Sequence, residues 1–312
     1  MKLPRRQLLQ RLASAAIAAA IIPRRALAID YPTRLVRLIV PYGPGTVPDI
    51  TARLLGQGLS ERLLQSFVIE NRPGAGANIG TEAVVRAPAD GYTLLYIATA
   101  QMISPSLYNK LSFNFIRDIA PVASIGRAPQ IVSVHPSIPV HSIPELVAFA
   151  RANPGKLNEG SLTGGSTHLT AELFKMSTGV NIVHVPYRST GMTDLLSGQL
   201  QVSFETIGVQ NEAVKAGTVR ALALTSAKRW ERLPDIPTVG DFLPGFEVNG
   251  VGGIGAPKGT PTEIIGTLNR EINASLISKR YHELMADLGG SILVGSPAEY
   301  EKLIANEIEK WG

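Results

Sequence analysis

The sequence contains no cysteine, which excludes disulfides, thiolate metal ligands and a lipid-anchored N-terminal cysteine. After residue 28, no apolar run is long enough to cross a bilayer. The histidines lack the spacing of metal ligands; they are His135, His141, His168, His184 and His282. These absences favour a soluble protein of an oxidising compartment. The sequence predicts neither a metal nor another cofactor.

The first 28 residues have the parts of a secretory signal peptide. Arg5-Arg6 precedes an apolar run over residues 12–22, and Ala26-Leu27-Ala28 forms a small-residue cleavage site. The arginine pair also fits a twin-arginine signal loosely, so the twin-arginine and general secretory routes both stay open. We predict export to the periplasm with cleavage after Ala28.

An excess of positive charge is also missing once this segment is set aside. The formal charge of +5 includes six basic residues and no acid from residues 1–28, so 24 basic and 25 acidic residues remain, a net of −1. The sequence therefore does not predict nucleic-acid binding. The remaining 284 of the 312 residues suffice for two domains with hydrophobic cores.

The stretch Leu38-Ile-Val-Pro-Tyr-Gly-Pro-Gly-Thr-Val-Pro-Asp49 predicts a buried strand that runs through a Gly/Pro loop into a helix. Residues 35–40 are apolar except for Arg37, which suits a strand covered on both faces. Asp49 is the expected N-cap of a helix over 50–64. The first N–H groups of a helix lack partners and carry partial positive charge, so this turn suits a carboxylate or phosphate. An ordinary strand-to-helix connection is the alternative.

Short apolar strands and helices alternate along the rest of the chain. We predict strands at 67–70, 92–98, 122–125, 131–134, 181–185, 202–204, 221–225 and 246–254, and helices at 79–87, 142–152, 169–177, 192–196, 210–216 and 280–288. Thr260-Pro-Thr-Glu263 and Ser296-Pro-Ala-Glu299 each place an N-cap residue, a first-turn proline and a Glu at the third helical position, which is the pattern of a capping box, and so predict two further helices. Two successive runs of this alternation predict two α/β units. Small residues recur at the strand-to-helix turns, where open α/β sheets bind ligands, so two such faces across a cleft predict a binding protein.

Two enzyme-like patterns are weak. Gly74, Gly76 and Gly80 mimic a dinucleotide fingerprint, but the next strand ends in Ala98-Thr99-Ala100-Gln101 without the required acid. Ser166, His168 and Asp194 would serve a hydrolase, but Ser-x-His at a helix start does not by itself build a nucleophile and base, and no Gly-x-Ser-x-Gly motif is present.

A series of motifs runs in a specific order through residues 31–257. It comprises Tyr31-Pro32, Ile39-Val-Pro-Tyr42, Glu70-Asn-Arg-Pro-Gly-Ala-Gly-Ala-Asn-Ile-Gly80, Asp90-Gly-Tyr-Thr-Leu94, Asn153-Pro-Gly-Lys156, His184-Val-Pro-Tyr187, Leu233-Pro-Asp-Ile-Pro-Thr238 and Ala256-Pro257. In this the chain resembles the Bug-type solute receptors of tripartite tricarboxylate transporters. The resemblance implies a type II periplasmic binding protein fold, two α/β domains joined by two crossover strands around a ligand cleft. It places one domain at residues 29–127 plus 248–312 and the other at 128–247.

The resemblance also implies the ligand contacts, mainly backbone amides and ordered water around a small carboxylated solute. The expected ligand-binding residues are Tyr42, Gly43, Pro44, Gly45, Thr46, Asp49, Asn78, Thr99, Ala100, Gln101, Gly165, Ser166, Thr167, His168, Tyr187, Arg188, Ser189, Thr190, Gly191 and Glu205. Departures from the family pattern lie in the same loops: Glu205 stands where the family usually has an aspartate, Thr46 replaces a glycine, and Pro48 replaces a small polar residue. The turn before His168 and the turn before Asp194 are also shorter than in the family. The two shortened turns, together with Thr46 and Pro48, predict a pocket unlike that of a citrate or amino-acid receptor.

The leading interpretation is a non-catalytic, monomeric periplasmic receptor that delivers a small carboxylate to membrane permease subunits. A periplasmic sensor that docks on a histidine kinase without transport is the alternative, and a hydrolase is the third.

Overall fold

The computed structural model describes residues 30–108, 110–188 and 190–312, and Pro32–Gly312 form one compact unit. The predicted signal peptide lies outside the described residues. The strands are β1 Val36–Val40, β2 Phe67–Asn71, β3 Thr93–Ala98, β4 Ile119–Val134, β5 Leu157–Leu162, β6 Ile182–Tyr187, β7 Val202–Thr206, β8 Arg220–Leu224, β9 Asn249–Pro257 and β10 Ser291–Ile292. The helices are α1 Val47–Leu63, α2 Asn78–Val85, α3 Thr99–Leu107, α4 Phe115–Asp118, α5 Ile143–Ala152, α6 Ser166–Thr178, α7 Met192–Leu196, α8 Ile207–Lys215, α9 Thr262–Leu276, α10 Lys279–Asp287 and α11 Pro297–Trp311.

The first lobe is built on β1, which pairs in parallel with β2 and β3, while β9 pairs antiparallel with β3. In β1 every residue except Arg37 is buried, which confirms the predicted buried strand. Helices α1, α9 and α11 pack around this sheet. Ile39, Leu95 and Tyr300 belong to its core.

The second lobe is built on β5, which pairs in parallel with β6 and β7. Its core includes Phe174 on α6, whose ring centroid lies 5.3 Å from that of Phe204 and 6.4 Å from that of Phe246. Both lobes therefore have the parallel strand-and-helix construction predicted from the alternating pattern.

In the part of the chain that the structure describes, no helix combines the length and the hydropathy of a bilayer-spanning segment.

Strand β4 runs through both lobes. Residues 119–129 pair with β9, whereas residues 130–134 pair with β7 and β8. The prediction of two separate strands here was wrong, because irregularities in the β4–β9 register keep the glycine- and proline-bearing middle of β4 within the sheet. The chain returns at Val248, whose N–H donates to the Thr225 carbonyl at 2.8 Å.

Residues 99–101, predicted to lie at the end of a strand, are the first turn of α3. The helix contains Pro105, which removes the N–H that would bond to the Gln101 carbonyl. The Ser104 hydroxyl donates to that carbonyl instead, at 3.0 Å. This local replacement is why a proline-containing segment is helical here.

Candidate functional site

A cavity of about 110 Å³ lies between the two lobes. The first lobe contributes Tyr42, Gly43, Thr46, Val47, Pro48, Thr51, Tyr96, Ala98, Thr99, Tyr281 and Met285; the second contributes Leu162, Gly165, Ser166, Thr167, Arg188, Thr190, Glu205, Thr206 and Val209. The crossing strands β4 and β9 add Ile125, Gly126, Arg127, Ala128, Gly250, Val251 and Gly252. The walls are thus mainly apolar side chains and strand-to-helix turns.

Four helices begin at this cavity. The N-cap residues of α1, α3, α6 and α8 are Thr46, Ala98, Gly165 and Thr206, and all four line it. None of them caps its helix with a side-chain hydrogen bond. Because a helix start presents unpaired N–H groups and partial positive charge, four starts around one cavity form an environment for an anion.

Asp49 supports the first loop from behind and does not line the cavity. Its carboxylate accepts hydrogen bonds from Gly45 N at 2.9 Å, Arg53 Nε at 3.1 Å and Asn71 Nδ2 at 2.9 Å. Burial acts to raise the pKa of Asp49, but these hydrogen bonds outweigh it and lower the pKa. The prediction of Asp49 as an N-cap was wrong, since Thr46 holds that position and Asp49 lies in the first helical turn.

Gln101 also lies behind the cavity wall, where it is 1% exposed. Its Oε1 accepts from Tyr42 Oη at 3.2 Å and from Ala98 N at 3.0 Å, and its Nε2 donates to the Tyr96 carbonyl at 3.1 Å. The Thr99 hydroxyl accepts from Val251 N at 3.0 Å, which ties the α3 start to β9. These bonds hold the α3 start at the cavity.

The second lobe brings the start of α6 and the segment after β6 to the cavity. Gly165, Ser166, Thr167, Arg188 and Thr190 line it, and Ser189 lies outside the described residues. Arg188 is exposed, and no described residue forms an ion pair with it. This part of the second-lobe wall therefore combines neutral turn residues with one exposed cation.

His168 and Tyr187 are engaged away from the cavity. His168 Nδ1 accepts from Gly164 N at 3.2 Å, and its ring centroid lies 4.0 Å from that of His184. The Tyr187 hydroxyl donates to the Asp194 carboxylate, which raises the pKa of Tyr187 to about 12. Among the described residues, no hydrogen bond joins Ser166 to His168.

The other expected site residues that do not line the cavity are Pro44, Gly45, Asn78, Ala100 and Gly191. Asn78 is buried at the start of α2 and donates to the Ala75 carbonyl at 2.7 Å. Gly191 packs closely, because a Cβ there would lie 2.5 Å from a Leu200 methyl and 2.9 Å from the Gly160 carbonyl oxygen. These residues shape the turns behind the lining.

Glu205 is the acid of the cavity wall. It is 8% exposed, and its Oε1 accepts from Thr206 N at 2.8 Å and from Thr206 Oγ1 at 3.3 Å. Burial raises the pKa of Glu205 to about 7, against the lowering effect of the Thr206 hydrogen bonds and with a smaller raising effect from Glu159. Glu205 thus changes charge near neutral pH.

Several lining residues were not predicted as site residues, among them Tyr96, Ile125, Tyr281 and Met285. All four are apolar or aromatic residues at core-like spacing, and they reach the cavity only because β3, β4 and α10 meet there. The glycine-rich stretch Gly250–Gly252 is a feature of the sequence that could have indicated this part of the cavity wall. A Cβ at Gly252 would lie 2.6 Å from the Tyr96 hydroxyl, so glycine permits this close packing.

Comparison with known proteins identifies the family. The sequence model described as the tripartite tricarboxylate transporter family receptor matches residues 51–312. The chain belongs to this family. Protein BugT of Bordetella pertussis is 35% identical over 95% of this chain and 92% of its own length.

Two solved structures share the fold of this family member. The structure of R. palustris Rpa4515 with adipate has a TM-score of 0.87 at 37% identity, covering 90% of this chain and 96% of that one. The periplasmic binding protein BugD has a TM-score of 0.86 at 31% identity with the same coverage. They confirm the predicted fold class, a type II periplasmic binding protein with two α/β lobes and a ligand cleft between them.

Proposed function

We propose that this receptor captures a small carboxylate anion in the periplasm and delivers it to the membrane permease subunits of a tripartite transporter, as a monomer and without catalysis. The observation that carries the proposal is the meeting of four helix N-termini at one cavity. Neutral N–H donors hold a carboxylate well in such a setting. The adipate in the related Rpa4515 structure supports the same ligand class.

The two lobes supply the capture mechanism. We assign residues 29–127 and 248–312 to one domain and residues 128–247 to the other. The change of β4 from β9, through residue 129, to β7, from residue 130, supports a boundary in this region. A carboxylate bound to turns of both lobes would favour closure around it.

A thermal-shift panel tests ligand class. Adipate, succinate, malate, benzoate, citrate, aspartate and glutamate would each be added to the purified protein lacking residues 1–28. A ligand at a hundred times its dissociation constant stabilises the folded state by about 2.7 kcal/mol, which gives a shift of several degrees. We expect hits among the small or aromatic acids other than citrate, aspartate and glutamate. No shift with any carboxylate would overturn the proposed function.

Export is tested separately. N-terminal sequencing of the protein recovered from the periplasm should begin at Ile29, directly after the Ala-x-Ala site. Recovery of the chain only from the cytoplasm, still beginning at Met1, would contradict the periplasmic role. The monomer is tested by light scattering of the same material, where a mass of twice the chain would contradict it.

A further inference from the structure

One oxygen of Glu205 is available to a ligand. Oε1 takes both Thr206 hydrogen bonds, while Oε2 accepts none from the described residues, and Glu205 lines the cavity. A charged carboxylate at this position would repel an anionic ligand. The same wall carries the N-terminus of α8, which attracts an anion. Attraction by the helix start and repulsion by an ionised Glu205 act against each other. The protonation state of Glu205 therefore decides whether this wall favours an anion.

The other ionisable groups around Glu205 do not neutralise it. Arg127 and Arg188 line the same cavity, but both are exposed, and neither forms an ion pair or hydrogen bond with Glu205. Arg127 Nε donates to Ser291 Oγ at 3.3 Å instead. Tyr42, Tyr96 and Tyr281 line the opposite, first-lobe side and act only as neutral groups, since burial raises the pKa of each.

Ionisable groups on the strands and helices around β7 are engaged with one another. Glu159 on β5 contacts His184, and on α6 Glu172 contacts Lys175 and His168. On α8, Glu212 pairs with Lys215 at the far end of the helix. None of these groups supplies a cation to Glu205. The negative charge of Glu159 disfavours ionisation of Glu205 and so raises its pKa.

We propose that Glu205 binds the ligand as a neutral carboxylic acid, donating the Oε2 hydrogen to a carboxylate oxygen of a dicarboxylate, so that capture by a receptor with ionised Glu205 takes up one proton. This inference rests on the proposed function and specifies the protonation state in which Glu205 binds the ligand. The proton comes from solvent when Glu205 is ionised in the empty receptor, and it stays between the two carboxyl groups in the complex. A hydrogen bond that includes a charged partner is stronger than a neutral one, which favours this arrangement.

The proposal predicts pH-dependent affinity. Because the pKa of Glu205 in the empty receptor is about 7, about nine-tenths of the receptor is protonated at pH 6 and about one-tenth at pH 8. Carboxyl groups of the ligand resemble the Glu side chain, which titrates near 4.3, so they are ionised over this range. Affinity should therefore fall about tenfold from pH 6 to pH 8.

Titration calorimetry with adipate and with succinate tests this. Wild-type receptor should bind about tenfold more weakly at pH 8 than at pH 6, and measurements in buffers of different ionisation enthalpy should show uptake of close to one proton per ligand at pH 8. Glu205→Gln keeps a neutral donor in the same shape and should bind with less than a threefold change over the same range. The matched control Glu212→Gln, at a side chain that is 87% exposed, should behave like wild type.

The outcomes separate this inference from the proposed function. Wild-type binding that is unchanged between pH 6 and pH 8 without proton uptake, or that strengthens as pH rises, would overturn the role of Glu205 and leave the receptor function standing. Loss of binding in Glu205→Gln at pH 6 would also overturn it. Failure of both acids to bind wild type and Glu205→Gln at pH 6 would overturn this inference, and the proposed function falls with it only when no other carboxylate of the thermal-shift panel binds.

Discussion

His184 Nδ1 lies 2.5 Å from Oε1 of Glu159, and this contact joins the parallel strands β6 and β5. Glu159 is fully buried, and its Oε2 accepts from Ser161 Oγ at 3.1 Å. His184 Nε2 lies 3.0 Å from Thr163 Oγ1, in the turn that leads to the α6 start. The pair therefore holds the strand ends from which one wall of the cavity continues.

We expect His184→Ala to destabilise the protein by about 3 kcal/mol, because it leaves a buried carboxyl without its partner. Burial already raises the pKa of Glu159, so Glu159 takes up a proton more readily once its partner is removed. This limits the loss of unfolding free energy to the lower end of the range of about 3–5 kcal/mol for a broken buried pair. Urea unfolding measures it. His282→Ala is the matched control, since His282 is exposed and should cost less than about 0.5 kcal/mol. A His184 variant as stable as this control would contradict the structural role of the pair.

Glu205 should make stability depend on pH even without ligand. Its folded pKa of about 7 lies above the ordinary value of 4.5, so its contribution is fully present below pH 4.5 and is lost as pH rises through 7. Glu205→Gln should therefore stabilise the empty protein relative to wild type at pH 8, by about 1–3 kcal/mol, and by much less at pH 5. Thermal unfolding at both pH values, with Glu212→Gln as control, checks this. Equal effects at the two pH values would contradict it.

Arg188→Ala should weaken dicarboxylate binding by less than about 1.5 kcal/mol, or roughly tenfold, because an exposed cation contributes little beside backbone donors. Calorimetry with adipate measures the change. Arg270→Ala is the control, since its side chain is 66% exposed and it does not line the cavity. A loss of a thousandfold in Arg188→Ala would show that the arginine, and not the turns, carries recognition.

Gly165→Ala should weaken binding at least tenfold. A Cβ at Gly165 would lie 2.9 Å from the Leu162 carbonyl oxygen, so the turn that starts α6 must move. At Gly266 in α9 a Cβ would meet nothing within 4 Å, and Gly266→Ala should leave binding unchanged and stabilise the helix by about 0.5–1 kcal/mol. Calorimetry and thermal unfolding of both variants test the pair. Unchanged binding in Gly165→Ala would show that this turn is not part of recognition.

Ligand should close the cleft. X-ray scattering of the receptor saturated with adipate is expected to give a smaller radius of gyration than the empty receptor, because turns from both lobes meet the same ligand. Citrate, expected to bind weakly or not at all, should leave the radius unchanged. An identical radius with and without bound adipate would contradict hinge closure.

Local patterns in the sequence determined many of the elements. The Ser296 hydroxyl accepts from Glu299 N at 3.2 Å and Glu299 Oε2 accepts from Ser296 N at 2.7 Å, which confirms the predicted capping box of α11. Such motifs are readable because both partners lie within four residues. The corresponding prediction for α9, with Thr260 as the N-cap, was wrong. Pro261 is the N-cap there, and the Thr260 hydroxyl donates to the Pro257 carbonyl.

The sequence by itself determined the α/β alternation and the small-residue turns that become helix starts, because these depend on neighbours along the chain. Only the tertiary structure decided which turns meet. Strand β4 brings Arg127 and the residues beside it to the cavity by changing partners midway, and α10 brings Tyr281 from far along the chain. The raised pKa of Glu205 likewise depends on its burial and on Glu159 in the neighbouring strand. Burial and contacts between distant segments exist only after folding, so no local pattern encodes them.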